Sequence, residues 1–89
     1  MENLEKVLVS RGERIVLQML DKKLKYLSRD KDGTLCAHET KPQKHETSWD
    51  SDDYCELSAF NHHFQFIQFN DEEPWLITDI INKCGTRFE

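Results

Sequence analysis

The chain is organised around one aromatic stretch, Phe60-Asn-His-His-Phe-Gln-Phe-Ile-Gln-Phe-Asn-Asp-Glu-Glu-Pro-Trp75. This stretch contains four of the five phenylalanines and one of the two tryptophans. Between Phe64 and Phe69 apolar and polar residues nearly alternate, which is typical of a β-strand with one buried face. Pro74 suits the first turn of a helix. The stretch therefore predicts a core strand that leads through an acidic turn into a C-terminal helix.

A second helix signal lies near the N-terminus. Ser10 and Glu13 have the spacing of a capping box. The apolar residues that follow are spaced as one face of a helix: Ile15, Val16, Met19, Leu20 and Leu24, with Leu17 widening the stripe. The pattern predicts a helix over residues 11–23 and leaves residues 1–9 as a loosely held lead-in or helix start.

Three further segments have strand character. Residues 24–29 and 34–39 flank the turn signal Asp30-Lys-Asp-Gly33, which predicts a hairpin with a positive φ at Gly33. Residues 54–57 form the third segment. Residues 40–53 are polar and predict a loop anchored by a tryptophan.

The predicted order of elements is α-β-β-β-β-α. It indicates the α+β class: a small single domain over residues 1–89, in which an antiparallel β-meander packs against one or two helices. Residues 1–9 and 86–89 are expected to be flexible ends. Gly85 suits the end of the second helix.

Composition indicates a lean, acidic domain. The 89 residues are 37% hydrophobic and 33% charged, and the net charge is −5. Residues 1–28 carry six Lys and Arg against four Asp and Glu, a net +2, whereas residues 29–89 carry six against thirteen, a net −7. The negative charge of residues 29–89 repels phosphate backbones, so direct nucleic-acid binding is not expected. It suits a basic protein partner, although the same charge also serves solubility alone.

The expected cellular location and the number of cysteines both indicate a protein without disulfides. No apolar run approaches ~20 residues, and the N-terminus lacks the layout of a signal peptide, so we expect no membrane association and a cytoplasmic protein. The odd number of widely spaced cysteines then indicates free thiols: Cys36, Cys55 and Cys84.

The candidate binding residues are of two kinds. The acidic candidates lie in a region without Lys or Arg: Asp50, Asp52, Asp53, Glu56, Asp71, Glu72 and Glu73. The aromatic candidates are Trp49 and Trp75, while the phenylalanines are expected in the core or on one exposed strand face.

The sequence favours no catalytic or cofactor site. It has no Gly-rich phosphate loop, and no spacing singles out a nucleophile with its base. Asp30-Lys-Asp-Gly33 resembles the start of a calcium loop, but position twelve would be Lys41 rather than an acidic ligand, which favours the turn. We therefore predict a protein that is not an enzyme and needs no cofactor.

A zinc site is the weaker alternative. Cys36 and His38 are two residues apart and would share one face of a strand. The other candidate ligands are Cys55, His62 and His63. None of the C-x2-C or H-x3-H spacings that mark structural zinc sites is present, so no metal is predicted.

Several runs of the sequence carry a family resemblance: Tyr26-Leu-Ser-Arg-Asp-Lys-Asp-Gly-Thr-Leu35, Glu39-Thr-Lys-Pro42, Trp49, and Phe64-Gln-Phe-Ile-Gln-Phe-Asn-Asp-Glu-Glu-Pro-Trp75. They resemble small uncharacterised accessory proteins of phages and prophages of Gram-positive bacteria, over residues 13–82. This chain departs from that family at Phe69, where Trp is frequent, and at Cys36, where an aromatic residue is frequent. The resemblance implies no assigned activity and no catalytic residues.

The resemblance and the charge together lead to a functional expectation. We expect a non-enzymatic phage-type protein that binds a basic host protein in the host cytoplasm, as an inhibitor of a defence or nucleic-acid enzyme through a DNA-like pattern of carboxylates. Two alternatives stay open: a self-associating structural or replication accessory protein, such as a homodimer joined through an exposed aromatic strand, and a zinc-stapled domain.

Overall fold

The computed structural model describes residues 4–87 of the chain. Helix α1 spans Arg11–Met19 and helix α2 spans Ile77–Lys83. The strands are β1 (Leu8–Ser10), β2 (Tyr26–Arg29), β3 (Leu35–His38), β4 (Gln43–Lys44), β5 (Trp49–Asp50), β6 (Tyr54–Glu56), β7 (Trp75–Leu76) and β8 (Gly85–Arg87). Two single 3-10 turns cover Leu4–Lys6 and Ser58–Phe60.

The main sheet has four antiparallel strands in the order β6-β3-β2-β7. The predicted α+β class is therefore confirmed. Strands β2, β3 and β6 follow one another as a meander, whereas the fourth strand, β7, returns to the opposite side and pairs with β2. This is the spatial order of a Greek key.

The prediction of a core strand at residues 64–69 was wrong. These residues form successive turns, and Phe64 has a φ of 57°, in the left-handed region. The fourth strand is instead Trp75–Leu76, where a helix start was expected after Pro74. Phe64 and Ile67 are nevertheless core residues, since both are fully buried, and Phe66 is partly buried against the core.

A buried arginine explains why residues 61–67 do not form a strand. All five N–H donors of Arg29 are used on backbone carbonyls: Nε on Ile67 O (2.9 Å), Nη1 on Gly33 O (2.9 Å) and Asn61 O (2.7 Å), and Nη2 on His63 O (2.7 Å) and Phe64 O (3.0 Å). Four of these acceptors lie in the loop ahead of β7. Their carbonyls converge on one guanidinium, which is incompatible with an extended ladder.

The two faces of the sheet are covered differently. Leu27, Ala37 and Trp75 lie side by side on the face that packs against both helices and the buried loop residues. Residues two apart share a face, so Ser28, Cys36 and His38 lie on the other. The β4–β5 hairpin contacts the sheet from this side, since the Ser51 hydroxyl lies 2.7 Å from His38 Nδ1. The pairing of β4 with β5 corrects the prediction of a loop over residues 40–53.

Helix α1 begins as predicted and ends earlier. The Ser10 side chain accepts the Glu13 N–H, and the Glu13 carboxylate accepts the Ser10 N–H, which confirms the capping box. The helix ends at Met19 rather than residue 23. The Asp21 carboxylate accepts the Lys23 N–H at 2.9 Å, a local turn that competes with helix continuation.

The apolar face of α1 is narrower than predicted. Leu17 is buried and central to the helix contact, while Val16 and Leu20 are partly buried against the core. Ile15 and Met19 are exposed, at 56% and 79%. The core therefore takes only part of the predicted apolar stripe.

The two ends of the described chain pair with each other. Strands β1 and β8 run parallel, with Leu8 beside Gly85. Strands β1 and β8 thus have backbone partners, whereas residues 1–3 and 88–89 lie outside the described part, and the flexibility of the two ends stays a prediction. Gly85 does not end α2 through a positive φ. A Cβ there would meet Glu5 O and Leu8 Cδ2 at 3.1 Å, so the close strand approach favours glycine.

Candidate functional site

The predicted acidic residues fall into two groups at opposite sides of the main sheet. The first group, the acidic edge, comprises Asp50, Asp52, Asp53 and Glu56, around the outer strand β6. The second group, the acidic turn, comprises Asp71, Glu72 and Glu73, just ahead of the other outer strand β7. Three strand spacings of about 4.8 Å separate the two outer strands, but the β4–β5 hairpin, which carries Asp50, contacts the acidic turn through Lys44 Nζ, which donates to Asp71 O. The pooling of the two groups into one surface stays a prediction.

The acidic turn is largely occupied by contacts within the molecule. Asp71 Oδ2 accepts the Gln68 N–H at 3.0 Å and the indole N–H of Trp75 at 2.9 Å. Glu73 Oε1 accepts a hydrogen bond from Lys41 Nζ at 2.7 Å. Glu72 is exposed and has neither a hydrogen-bond nor an ion-pair partner among residues 4–87. Two of the three carboxylates of the turn thus hold the loop and its neighbours in place.

The acidic edge retains more free charge. Asp50 accepts a hydrogen bond from the Ser48 hydroxyl at 2.9 Å, and Asp53 Oδ1 accepts those of the Thr40 N–H and hydroxyl. Asp52 and Glu56 are exposed and make no hydrogen bond or ion pair within the described range. Asp52 precedes strand β6 and Glu56 is its last residue, and both side chains are exposed to solvent.

Strand β6 is itself open to solvent. Tyr54, Cys55 and Glu56 are all exposed, and Tyr54 keeps 53% of its surface accessible. Its ladder is to β3 alone, because β6 is the last strand of the sheet. An acidic side-chain pattern therefore coincides with an unpaired backbone edge.

The predicted aromatic binding residues are not surface residues. Trp49 and Trp75 are each only 4% exposed, which leaves little of either side chain accessible for the predicted contact with a partner. Trp75 packs in the core, with the Phe66 ring at 4.8 Å. Trp49 anchors the β4–β5 hairpin, with Lys44 Nζ 5.5 Å from its ring, while its own buried indole N–H has no hydrogen-bond partner in the described structure.

A buried polar network connects the sheet to the hairpin. His38 is fully buried, with Nε2 at 2.8 Å from the Ser28 hydroxyl and Nδ1 at 2.7 Å from the Ser51 hydroxyl. Burial lowers the pKa of His38 to about 4, against smaller opposing effects of Asp53 and Asp50. The neutral ring joins two hydroxyls and holds residue 51 against β3. Ser28 is only 2% exposed, whereas Ser51, at the hairpin end of the network, is partly exposed.

The neighbouring thiol is equally enclosed. Cys36 is 1% exposed, and burial, aided by the Asp30 charge, raises its pKa to about 12. The thiol therefore stays protonated at neutral pH and is a poor nucleophile. Asp30 is held by the Trp49 N–H at 3.0 Å, while burial raises its pKa.

The zinc candidates do not converge. Cys36 and His38 share one sheet face as predicted, but both nitrogens of His38 are engaged by serine hydroxyls. Cys55 lies on the opposite face of the edge strand, and His63 is close to Glu13 in a distant loop. Within residues 4–87 no three His, Cys, Asp or Glu side chains are grouped to hold a metal ion.

Two buried charges were missed by the sequence analysis. Glu13 is 7% exposed, and its Oε2 accepts the Phe64 N–H at 2.6 Å. Burial would raise the pKa of this carboxyl, but hydrogen bonds from Phe64 and Ser10 leave it below the usual value. Arg29 is 8% exposed and burial lowers its pKa. The capping box was a signal for Glu13, but nothing local marks its second role.

Comparison with known proteins adds no relative to this description. No family model matches the chain, and searches of curated proteins and of solved structures found no significant match. The resemblance to phage accessory proteins therefore stays a prediction. Neither described helix has the length and apolar character needed to cross a lipid bilayer.

Proposed function

We propose that the protein is a non-enzymatic binding module whose acidic edge contacts a basic surface of another protein. One observation carries the proposal: Asp52 and Glu56 are exposed and unpaired within residues 4–87 beside a strand edge that is itself open. A basic partner would supply counter-charge to these two carboxylates. Such charge complementarity mainly accelerates association and selects the partner.

The enclosed polar groups support a binding role over a catalytic one. The Ser28–His38 pair and the Cys36 thiol are the described groups closest to catalytic machinery, and both are buried away from solvent, while Ser51 at the outer end of the network is partly exposed. Their hydrogen bonds are satisfied by one another and by the covering hairpin. Their arrangement is that of a core that fixes the hairpin.

The resemblance to phage accessory proteins suggests the biological setting of this proposal and the kind of partner. In that setting the partner is a host defence or nucleic-acid enzyme in the host cytoplasm, and the carboxylates of the acidic edge occupy a groove that otherwise binds phosphates. Association is then fast and weakens with salt, because exposed charges are screened. The structure favours the acidic edge over the acidic turn for this role, since Asp71 and Glu73 already have partners.

Self-association through an exposed aromatic strand loses its structural basis. Phe64 and Ile67 are fully buried, and residues 64–69 form turns rather than a strand. The homodimer alternative therefore needs another surface.

Capture from a host-cell lysate tests the proposal when matched baits are compared. The bait pair is the Asp52→Asn/Glu56→Gln variant, which neutralises the acidic edge, and the Glu72→Gln variant, which neutralises one exposed carboxylate of the acidic turn. We expect a protein held by wild type and by Glu72→Gln, lost from the double variant, and released at about 1 M salt, where the Debye length is about 3 Å. A partner retained equally by the double variant and in high salt contradicts electrostatic binding at this edge.

A further inference from the structure

We propose that the basic partner binds by β-strand addition: an extended segment of the partner pairs with the open edge of β6 as a fifth strand of the sheet. This inference rests on the proposed function and specifies how the acidic edge would be used. The segment carries Lys or Arg on both sides of an apolar residue, at every second position.

The hydrogen bonds of β6 define which backbone groups are available. The Leu57 N–H donates to Leu35 O at 2.7 Å and the Glu39 N–H donates to Asp53 O at 3.3 Å, so residues 53 and 57 direct these groups toward β3. In an antiparallel ladder this direction alternates along the strand. Cys55, opposite Ala37, therefore also faces β3, while the N–H and C=O groups of Tyr54 and Glu56 point away from the sheet. Two donors and two acceptors are left for an added strand.

The side chains of the edge define the sequence of the added segment. Tyr54 and Glu56 point to the same face, since they are two residues apart, and Cys55 points to the other. Directly opposite residues in paired strands interact, and opposite charges stabilise the pair. A Lys or Arg thus belongs opposite Glu56 and an apolar residue opposite Tyr54. Asp52 lies beyond Tyr54 and favours a second basic residue two positions further on.

Charge decides between a basic segment and a second copy of the chain as the occupant. Pairing two β6 edges would bring together the exposed carboxylates of Asp52 and Glu56 from each copy. Charged edge residues are a common means of preventing such self-pairing. The same carboxylates attract a basic strand. The edge therefore disfavours pairing with a second copy of the chain and favours pairing with a basic segment.

Hydrogen exchange with a synthetic probe tests the inference directly. The probe is a short blocked peptide in which two lysines flank a central valine at every second position, with threonines between them. We expect the amide protons of Tyr54 and Glu56 to become slower to exchange by tenfold or more at saturating peptide. The Cys55 amide, already bonded to β3, changes little. The control peptide carries N-methyl groups on the amides that would face β6, and we expect it not to slow exchange.

A pair of variants at one position separates backbone pairing from charge. Glu56→Pro removes an outward N–H without breaking a bond to β3, because proline is compatible with an edge strand when its missing N–H faces solvent. Glu56→Gln retains that N–H and removes the charge. We expect Glu56→Pro to weaken peptide binding tenfold or more and Glu56→Gln only about threefold. Unchanged exchange at the Cys55 and Leu57 amides confirms that each variant keeps the β3–β6 pairing.

The outcomes distinguish this inference from the proposed function. If the N-methylated peptide binds as well as the probe and the Tyr54 and Glu56 amides stay unprotected, strand addition is wrong while electrostatic binding stands. If neither peptide binds at low salt, both are contradicted. If the two amides become protected in the protein alone as its concentration rises, with a dimer in light scattering, the occupant is a second copy and the inference is overturned.

Discussion

Glu13 and Phe64 are 51 positions apart in the chain, yet the Glu13 carboxylate accepts the Phe64 backbone N–H at 2.6 Å. The same carboxylate accepts the Ser10 N–H at 2.9 Å, so one side chain caps α1 and holds the loop ahead of β7. Phe64 lies in the left-handed region with a φ of 57°, a costly conformation for an aromatic residue. The hydrogen bonds to Glu13 and Arg29 stabilise this conformation.

Replacing Glu13 tests the two-sided role of its carboxylate. We expect Glu13→Gln to lower the free energy of unfolding by about 1–3 kcal/mol, because the amide group turns a donor toward one of two buried N–H groups. Urea unfolding at neutral pH measures the change. Glu39→Gln, at an exposed position, is the matched control and should stay within about 0.5 kcal/mol of wild type. Equal stability of the two variants would show that the contact to Phe64 contributes nothing.

Replacing Arg29 tests whether its guanidinium determines the path of residues 61–67. We expect Arg29→Lys to cost at least about 2 kcal/mol, since an ammonium group has three donors and cannot reach five carbonyls arranged around a planar fork. Chemical denaturation gives the free energy, and amide exchange of residues 61–67 reports local opening. Lys31→Arg, which is exposed in the adjacent turn, is the control. If the amides of residues 61–67 stay as protected from hydrogen exchange in Arg29→Lys as in wild type, this role is refuted.

His38 should make stability depend on pH below neutrality. The pKa falls from 6.5 to about 4 on folding, so the unfolded chain binds the proton first. The full contribution is present above pH 6.5 and is lost as pH falls toward 4, with a slope approaching about 1.4 kcal/mol per pH unit. We expect His38→Gln to lower stability at neutral pH and to flatten this slope, as measured by denaturant unfolding at a series of pH values.

The exposed histidine His62 provides the substitution control. His62→Gln changes a solvent-accessible side chain and should leave the free energy of unfolding at neutral pH within about 0.5 kcal/mol of wild type. Glu13, whose pKa is lowered, adds a loss of stability at more acidic pH, below its ordinary value of 4.5. A His38→Gln profile parallel to that of wild type between pH 6.5 and 4.5 would contradict the assignment to His38.

Two glycines should respond in opposite directions to alanine. Gly85→Ala places a Cβ 3.1 Å from Glu5 O and from Leu8 Cδ2, and we expect a loss of about 1 kcal/mol through the β1–β8 pair. Gly12→Ala lies in α1, where the nearest atom is Ser10 Oγ at 4.0 Å, and should stabilise by about 0.5–1 kcal/mol. Thermal unfolding of both variants measures the contrast. Stabilisation by Gly85→Ala would show that the two strands can separate freely.

The sequence by itself determined the features that depend on neighbouring residues. The capping box at Ser10 and Glu13 and the hairpin turn with a φ of 97° at Gly33 formed as predicted, because their hydrogen bonds join residues three apart. The α+β class and the excess of acidic residues around β6 also follow from local patterns and composition. These features need no knowledge of distant contacts.

Only the tertiary structure determined the backbone conformation of the aromatic stretch. Its alternation predicted a strand, but the buried Arg29 collects its carbonyls and Glu13 takes the Phe64 N–H, so these groups are not available to a ladder. The fourth strand of the main sheet is therefore Trp75–Leu76 rather than residues 64–69, and it pairs with β2. The Asp71 carboxylate is occupied by groups three and four residues away, Glu73 is occupied by Lys41 at a separation of 32 positions, and Asp52 and Glu56 are left unpaired among the described residues. Which carboxylates stay free depends on how the folded chain places both near and distant partners, and spacing alone does not encode it.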